Sequence, residues 1–226
     1  MKIADRAAAL GSIEQQKRLD VIANNIANVN TPGYKKDEVH FADFIDQTTR
    51  TIWNQGSIQN TGQPLDIALV GEGFLKVQTP DGILYSRAGN LKLDKENKLV
   101  NQDGYPVLGK AGVIKANDRN VRIEQDGQVF DEEQSVATLD LVAFPQGTVL
   151  NKVHGSYVKP KNEEDAPSPA KNCTVQQSSL ESANFSLVEE MTRMVDTMRV
   201  FEAYQKVLQI SAQELDSQVI NKLGSL

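Results

Sequence analysis

"LVEEMTRMVDTMRVFEAYQKVLQISAQELDSQVINKL", residues 187–223, is the stretch on which the fold of this chain turns. Leu187, Met191, Met194, Met198, Phe201, Gln205, Leu208, Ala212, Leu215 and Val219 follow one another at alternating spacings of 4 and 3. That is a sustained heptad seam with one polar position, Gln205, and it predicts a single long helix. Ser186 and Glu189 stand at capping-box spacing and mark its start. At 1.5 Å per residue the helix is roughly 55 Å long, far beyond an average globular helix. Val188, Val195, Val200, Tyr204, Val207 and Ile210 lie on adjoining faces, so the apolar arc is wider than one partner helix can cover. Met191, Met194 and Met198 read as packing residues, adaptable enough to suit one sequence placed in several environments.

The other end of the chain carries a second helical pattern. Leu19, Ile22, Ile26 and Val29 are spaced 3, 4 and 3, and Leu10 and Ile13 extend the face weakly past Gln16 and Lys17. The helix is expected to stop near Asn30, because Thr31 precedes Pro32 and is pushed out of the α region. Gly33 then permits a positive φ and a change of direction. The end of this helix, "VIANNIANVNTPGYK" (21–35), is rich in asparagine, a mediocre helix former. Asn24 and Asn28, and Asn25 and Asn28, share a face. Two readings stand: amides that bond across a helix interface and fix its register, or a solvated helix end before a proline.

Between the helices the period changes to 2. "GFLKVQTPDGILYSR" reads as strand, turn at Pro80-Asp81-Gly82, strand. "NLKLDKENKLVNQDG" repeats the pattern with turns at Lys95–Asn97 and Asp103-Gly104, "VRIEQDGQVF" turns at Asp126-Gly127, and "VATLDLVAF" is one further strand. "PKNEEDAPSPAKN" (160–172) is polar and Pro-rich and reads as an exposed loop. The expected fold is α+β: N- and C-terminal helices pair, antiparallel or parallel, in a coiled-coil-like domain that flanks a central all-β domain. The expected segments are 1–30 with 187–226 as a discontinuous helical assembly domain, 31–64 as linker, 65–160 as the β domain, and 161–186 as loop and return. The short N-terminal helix cannot cover so much apolar surface alone; other copies of the chain can.

Composition narrows the function. The 226 residues carry a net charge of −6, which argues against a nucleic-acid partner held through phosphates. No run approaches the roughly 20 apolar residues of a membrane span. The start, "MKIADRAAALGSIEQQKRLD", lacks the apolar run of a secretory signal. Cys173 is the one cysteine, so no intramolecular disulfide forms. Catalysis finds little support, and no catalytic, cofactor-binding or metal site is assigned. His40 beside Asp37 and Glu38 has no second histidine at ligand spacing, and Cys173 has no activating partner. "DKENK" (94–98) lacks the remaining ligands of a calcium loop. "GEG" (71–73) is a bend before a strand.

Three blocks together resemble a known family. "LDVIANNIANVNTPGYKK" (19–36), "QPLDIALVGEGFLKVQTPDGILYSRAGNLKLDKENKLVNQDGYPVLG" (63–109) and "VQQSSLESANFSLVEEMTRMVDTMRVFEAYQKVL" (175–208) are similar, in order, to the N-terminal, central and C-terminal motifs of the bacterial flagellar axial proteins, the rod and hook family. The resemblance implies a structural subunit of the basal-body rod, spanning the periplasm, with terminal helices in an inner layer and the β domain outside. It implies assembly with further copies and with neighbouring rod proteins, torque transmission, and export through the flagellar type III apparatus without a cleaved signal. Asn24, Asn25, Asn28, Pro32 and Gly33 fall in the N-terminal motif. The short segment 37–62 favours a proximal-rod component of the type beside the distal rod, with the distal-rod member or a short hook-type axial protein as the alternative. Two other classes remain open: a wall hydrolase, which needs carboxylates roughly 5–10 Å apart across a cleft, from among Asp66, Glu72, Asp81 and Asp103; and an adhesin, which needs an exposed apolar patch.

Overall fold

The computed structural model describes residues 3–43, 46–117, 121–162 and 164–223, with a helix at each end of the described chain and strands between them. The chain divides into two compact units: Met1–Ala27, Lys36–Ile52 and Phe185–Leu226 form one, Asn28–Lys35 and Trp53–Asn184 the other.

In the helical unit, α1 (Ile3–Ala27) and α2 (Leu187–Leu223) pair antiparallel. Asp5 accepts a bond from the Ser211 hydroxyl, Gln205 Nε2 donates to Ser12 Oγ at 2.7 Å, and Asn25 Nδ2 donates to Glu190 Oε2 at 3.3 Å, so α2 descends as α1 rises. The face that α1 buries is Asp5, Ala8, Ser12, Gln15, Ile22 and Asn25, with Leu19 and Ile26 half-buried beside them, a 3-4 seam more polar than its periodicity predicts. Leu10 and Ile13, expected on the packed face, are 48% and 56% exposed. The physical reason lies at Gly11. A Cβ there would stand 2.6 Å from the Tyr204 ring, so the small and polar side of α1 admits the bulky side of α2. The helix ends at Ala27, ahead of the expected Asn30. Val29 lies beyond it, in a turn where Thr31 N donates to the Asn28 carbonyl at 3.0 Å. The segment expected as linker contains structure: β1 (Asp37–Asp43) and β2 (Asp46–Thr51) form an antiparallel hairpin, and β1 packs on α1.

The other unit is built of short antiparallel strands. After β3 (Ile58–Asn60) and β4 (Ile67–Gly71), β5 (Phe74–Thr79) and β6 (Gly82–Ser86) form the expected hairpin, with Gly82 at φ 115°. They are the centre of a six-stranded sheet ordered Leu150–His154, Tyr157–Pro160, β6, β5, Leu141–Ala143, Ser168–Pro169. "VATLDLVAF" is two strands, not one: Gln134–Thr138 joins the three-stranded sheet with Val121–Ile123 and Gln128–Asp131, and Leu141–Ala143 joins the six-stranded sheet. The break falls at Leu139-Asp140, where Leu139 N bonds the Gly127 carbonyl and Asp140 pairs with Lys76 at 2.6 Å.

Of residues 161–186, expected as loop and return, those up to Asn184 complete this unit. Cys173–Gln177 pairs with β4 over five residue pairs, and Ser179–Glu181 pairs with β3. Ile67, Leu69, Leu75, Leu99, Val107, Val129, Leu139 and Val175 form one core, each 2% exposed or less. Tyr85, Val142 and Val158 form a smaller cluster with Phe74, Phe144 and Leu150.

Candidate assembly surfaces

The motif after α1 is locked into the β unit by buried charge. Gly33 has φ 67°, and its N–H donates to the Glu181 carbonyl at 2.7 Å. A Cβ at Gly33 would lie 2.5 Å from the Arg87 carbonyl carbon, so only glycine fits. Tyr34 is buried beneath the Lys152 ammonium, which sits 4.0 Å from its ring centre and also bonds the Lys35 carbonyl. Lys35 Nζ meets Glu181 Oε1 at 2.6 Å and the Asn54 carbonyl at 2.8 Å. Arg87 Nε meets Glu181 Oε2 at 2.7 Å, and its other nitrogens donate to the carbonyls of Leu69, Gly71 and Gly73. Gly56 N–H completes the carboxylate shell at 2.8 Å. Burial pushes the Lys35 ammonium below its ordinary pKa, with Glu181 working against that shift.

This clasp brings residues 33–35, 54–56, 69–73 and 181–184 together around Arg87; Asn184 also donates to the Asn54 carbonyl, at 3.0 Å. Sequence reasoning missed Lys35, Arg87 and Glu181. Each of the three family-like blocks holds one of these charges among several others, and nothing in spacing alone pairs residues 35, 87 and 181.

The asparagines separate. Asn25, 1% exposed, takes both backbone groups of Asp37: Nδ2 donates to the carbonyl at 2.9 Å and Oδ1 accepts from the N–H at 3.0 Å. With its bond to Glu190, it ties α1, β1 and α2 together inside one chain. Asn28 accepts from the Thr31 hydroxyl at 3.3 Å in the turn before Pro32, and Asn24 is exposed. Glu190 is also met by Arg193 at 3.3 Å, which reaches Glu189 at 2.8 Å and Glu38 at 3.4 Å. A bond from Lys36, aided by Arg193, holds the Glu38 carboxyl below the usual range.

On α2 the α1-facing seam is Glu190, Met194, Thr197, Phe201, Tyr204, Leu208 and Ser211. Met194, Phe201 and Leu208 of the predicted interface belong to it. Leu187, Met191 and Met198 do not; they are 38%, 53% and 44% exposed. The side chains of Leu215 and Val219 lie outside the described residues. Val188, Val195, Val200, Val207 and Ile210 are exposed as well. A helix with this much bare apolar surface matches a subunit interface in kind.

The residues considered for catalysis do not converge. Asp66 accepts from the Thr61 hydroxyl at 2.7 Å, and Asp103 accepts from the buried Tyr157 hydroxyl. Glu72 lines a cleft of about 420 Å³ with Trp53, Phe74 and Phe144, where it is the one carboxylate among the described residues. His40 is exposed. Cys173 is buried, and burial raises its thiol pKa, so the thiolate is disfavoured.

Comparison with known proteins places these features in a family. Three family models match in chain order: "Flagella basal body rod protein" over residues 6–35, "Flagellar hook protein FlgE/F/G D1 domain" over 68–130, and "Flagellar basal body rod FlgEFG protein C-terminal" over 176–222. The flagellar basal-body rod protein FlgG of Bacillus subtilis is 32% identical, with 90% of this chain and 93% of the relative covered. The Agrobacterium fabrum FlgG is 31% identical over 96% and 97%. The flagellar basal-body rod protein FlgF of Mesorhizobium japonicum is 28% identical over 93% of each chain.

Proposed function

The chain belongs to the flagellar basal-body rod protein family, and on that premise we propose that it builds the rod by assembling with further copies of itself and with neighbouring rod proteins through its terminal helices. Its role is structural. The observation that carries the assembly reading is the bare apolar surface of α2: Val188 at 72%, Ile210 at 57% and Met191 at 53% exposure, on a helix whose Met194, Phe201 and Leu208 seam is already taken by α1. Water contact at so many apolar side chains is costly, at about 25 cal/mol per Å², and neighbouring subunits remove it.

The same reading assigns delivery to the flagellar type III export apparatus and a final place in the rod across the periplasm. The absence of a disulfide leaves the chain free to be threaded in extended form. Within the family we favour the FlgF-type, proximal position. The alignment with the Bacillus subtilis FlgG runs over 245 positions while covering 90% of this chain, so that relative carries residues this chain lacks; the Mesorhizobium japonicum FlgF aligns over 225. The FlgG-type, distal position is the second reading, favoured by the 32% identity to that relative.

The test is electron microscopy of basal bodies purified from a strain lacking this gene. Rods truncated at a constant height, restored by complementation, are the expected result. Full-length rods in the deletion strain overturn the proposal.

A further inference from the structure

The apolar surface that α1 leaves uncovered on α2 is not one stripe but two. Val188, Met191, Val195 and Met198 are spaced 3, 4 and 3, and so are Val200, Ala203, Val207 and Ile210. All eight are exposed. At 3.6 residues per turn, the first set lies about a third of a turn to one side of the α1-facing seam, and the second about a third of a turn to the other. The bare flank therefore changes sides near Arg199. Each flank is polar where it is not apolar. Glu189 and Asp196 continue the second flank towards the start of the helix, and Glu202, Gln209 and Gln213 continue the first towards its end. No neighbour lying along a whole flank finds it apolar throughout.

We propose that the two stripes are the two halves of one heterologous contact, in which Val188, Met191, Val195 and Met198 of one copy pack on Val200, Ala203, Val207 and Ile210 of the next. This rests on the reading of the chain as a rod subunit and adds which side chains meet. The stripes have equal length and complementary relief. The first projects two long, flexible methionines; the second is a β-branched strip with a hollow at Ala203, which suits methionine's adaptable packing. The third face of α2 is already taken by α1, so one copy offers both halves. The stripe centres are about 18 Å apart at 1.5 Å per residue, so each copy sits displaced along the axis from the last. A contact between unlike patches with an axial step does not close on itself and propagates as a helix.

The test uses the full chain in cells. Two differently tagged copies are co-expressed, one with Val195→Cys and the other with Val207→Cys, which the 12-residue offset sets opposite each other, and basal bodies are isolated after mild oxidation; the native Cys173, 8% exposed, stays out of the reaction. The expected product is a mixed-tag disulfide dimer, with none from either variant alone. A charge pair checks the same contact without cysteines. Val195→Glu and Val207→Lys should each reduce swimming at least tenfold, and the two together in one chain should restore most of it. Same-tag dimers, or no dimers from basal bodies that contain the protein, overturn the stripe pairing and leave the rod assignment standing. Absence of the wild-type chain from basal bodies overturns both.

Discussion

Glu181→Gln is the sharpest probe of the clasp. Glu181 is 1% exposed, and its carboxylate neutralises two buried cations, the Lys35 side chain at 2% exposure and Arg87 at 6%. Glutamine keeps the volume and one acceptor oxygen, so Gly56 N–H can remain bonded. Its amide nitrogen, however, then takes the place of Oε2 and turns a donor towards Arg87 Nε, and the two cations are left in low dielectric without the Glu181 charge. Removing one partner of a buried pair costs about 3–5 kcal/mol, against a typical total of about 5–15 kcal/mol. For a unit of about 140 residues each kcal/mol is about 3–4 °C, so the melting temperature should fall by about 10–20 °C. Trp53, the one tryptophan, lies edge-on to Phe74 at 5.8 Å and reports this unit by fluorescence in the intact chain. Lys35→Met combined with Glu181→Gln should cost less than the sum of the singles, since both act on one ion pair. A melting temperature within 3 °C of wild type for Glu181→Gln would refute the assignment of this carboxylate as the counter-charge.

Three further outcomes are expected. Gly33→Val must adopt φ 67° and meet the Arg87 backbone at 2.5 Å, so it should destabilise the β unit by at least about 2 kcal/mol and abolish motility; an unchanged denaturation midpoint would refute this. A fragment of residues 65–160 should melt broadly and one of residues 28–184 cooperatively in calorimetry, because the strand Cys173–Gln177 supplies five ladder pairs and the buried Val175. Tyr157 is held protonated by burial and by Asp103, its pKa raised above the ordinary 10. Its contribution to stability is thus full below pH 10 and is lost as the pH climbs towards the folded-state value. Tyr157→Phe should flatten that alkaline decline in urea denaturation measured from pH 9 upwards, though not the stability at pH 7 in the same way, since the Asn101 and Asp103 bonds are lost there too.

What sequence pattern could show depended on whether the signal was local. The long helix, the Pro80-Asp81-Gly82 hairpin and the positive φ of Gly33 are properties of neighbouring residues, and the structure has them. The face of α1 was not legible, because its seam is chosen by fit. Gly11 admits Tyr204, and Asp5 and Ser12 find Ser211 and Gln205, so polar positions are buried while Leu10 and Ile13 stay outside. The break at Leu139-Asp140 was hidden for the same reason: an apolar run shared between two sheets looks like one strand until the second sheet exists. The clasp was the least accessible feature. Lys35, Arg87 and Glu181 are dozens of residues apart, and each alone reads as an ordinary surface charge.

The exposed methionines of α2 carry a chemical liability as well as the contact surface proposed for them. A thioether open to solvent is oxidised by peroxide to a sulfoxide, which turns a flexible apolar chain into a polar one. Met191 and Met198, at 53% and 44% exposure, are vulnerable while the chain is alone, and oxidation would place a strong dipole on the stripe meant to pack. Once covered by a neighbour they are shielded from the oxidant. On the proposed assembly, age therefore works differently on the two populations: waiting subunits lose the apolar stripe that packs, and joined subunits keep theirs.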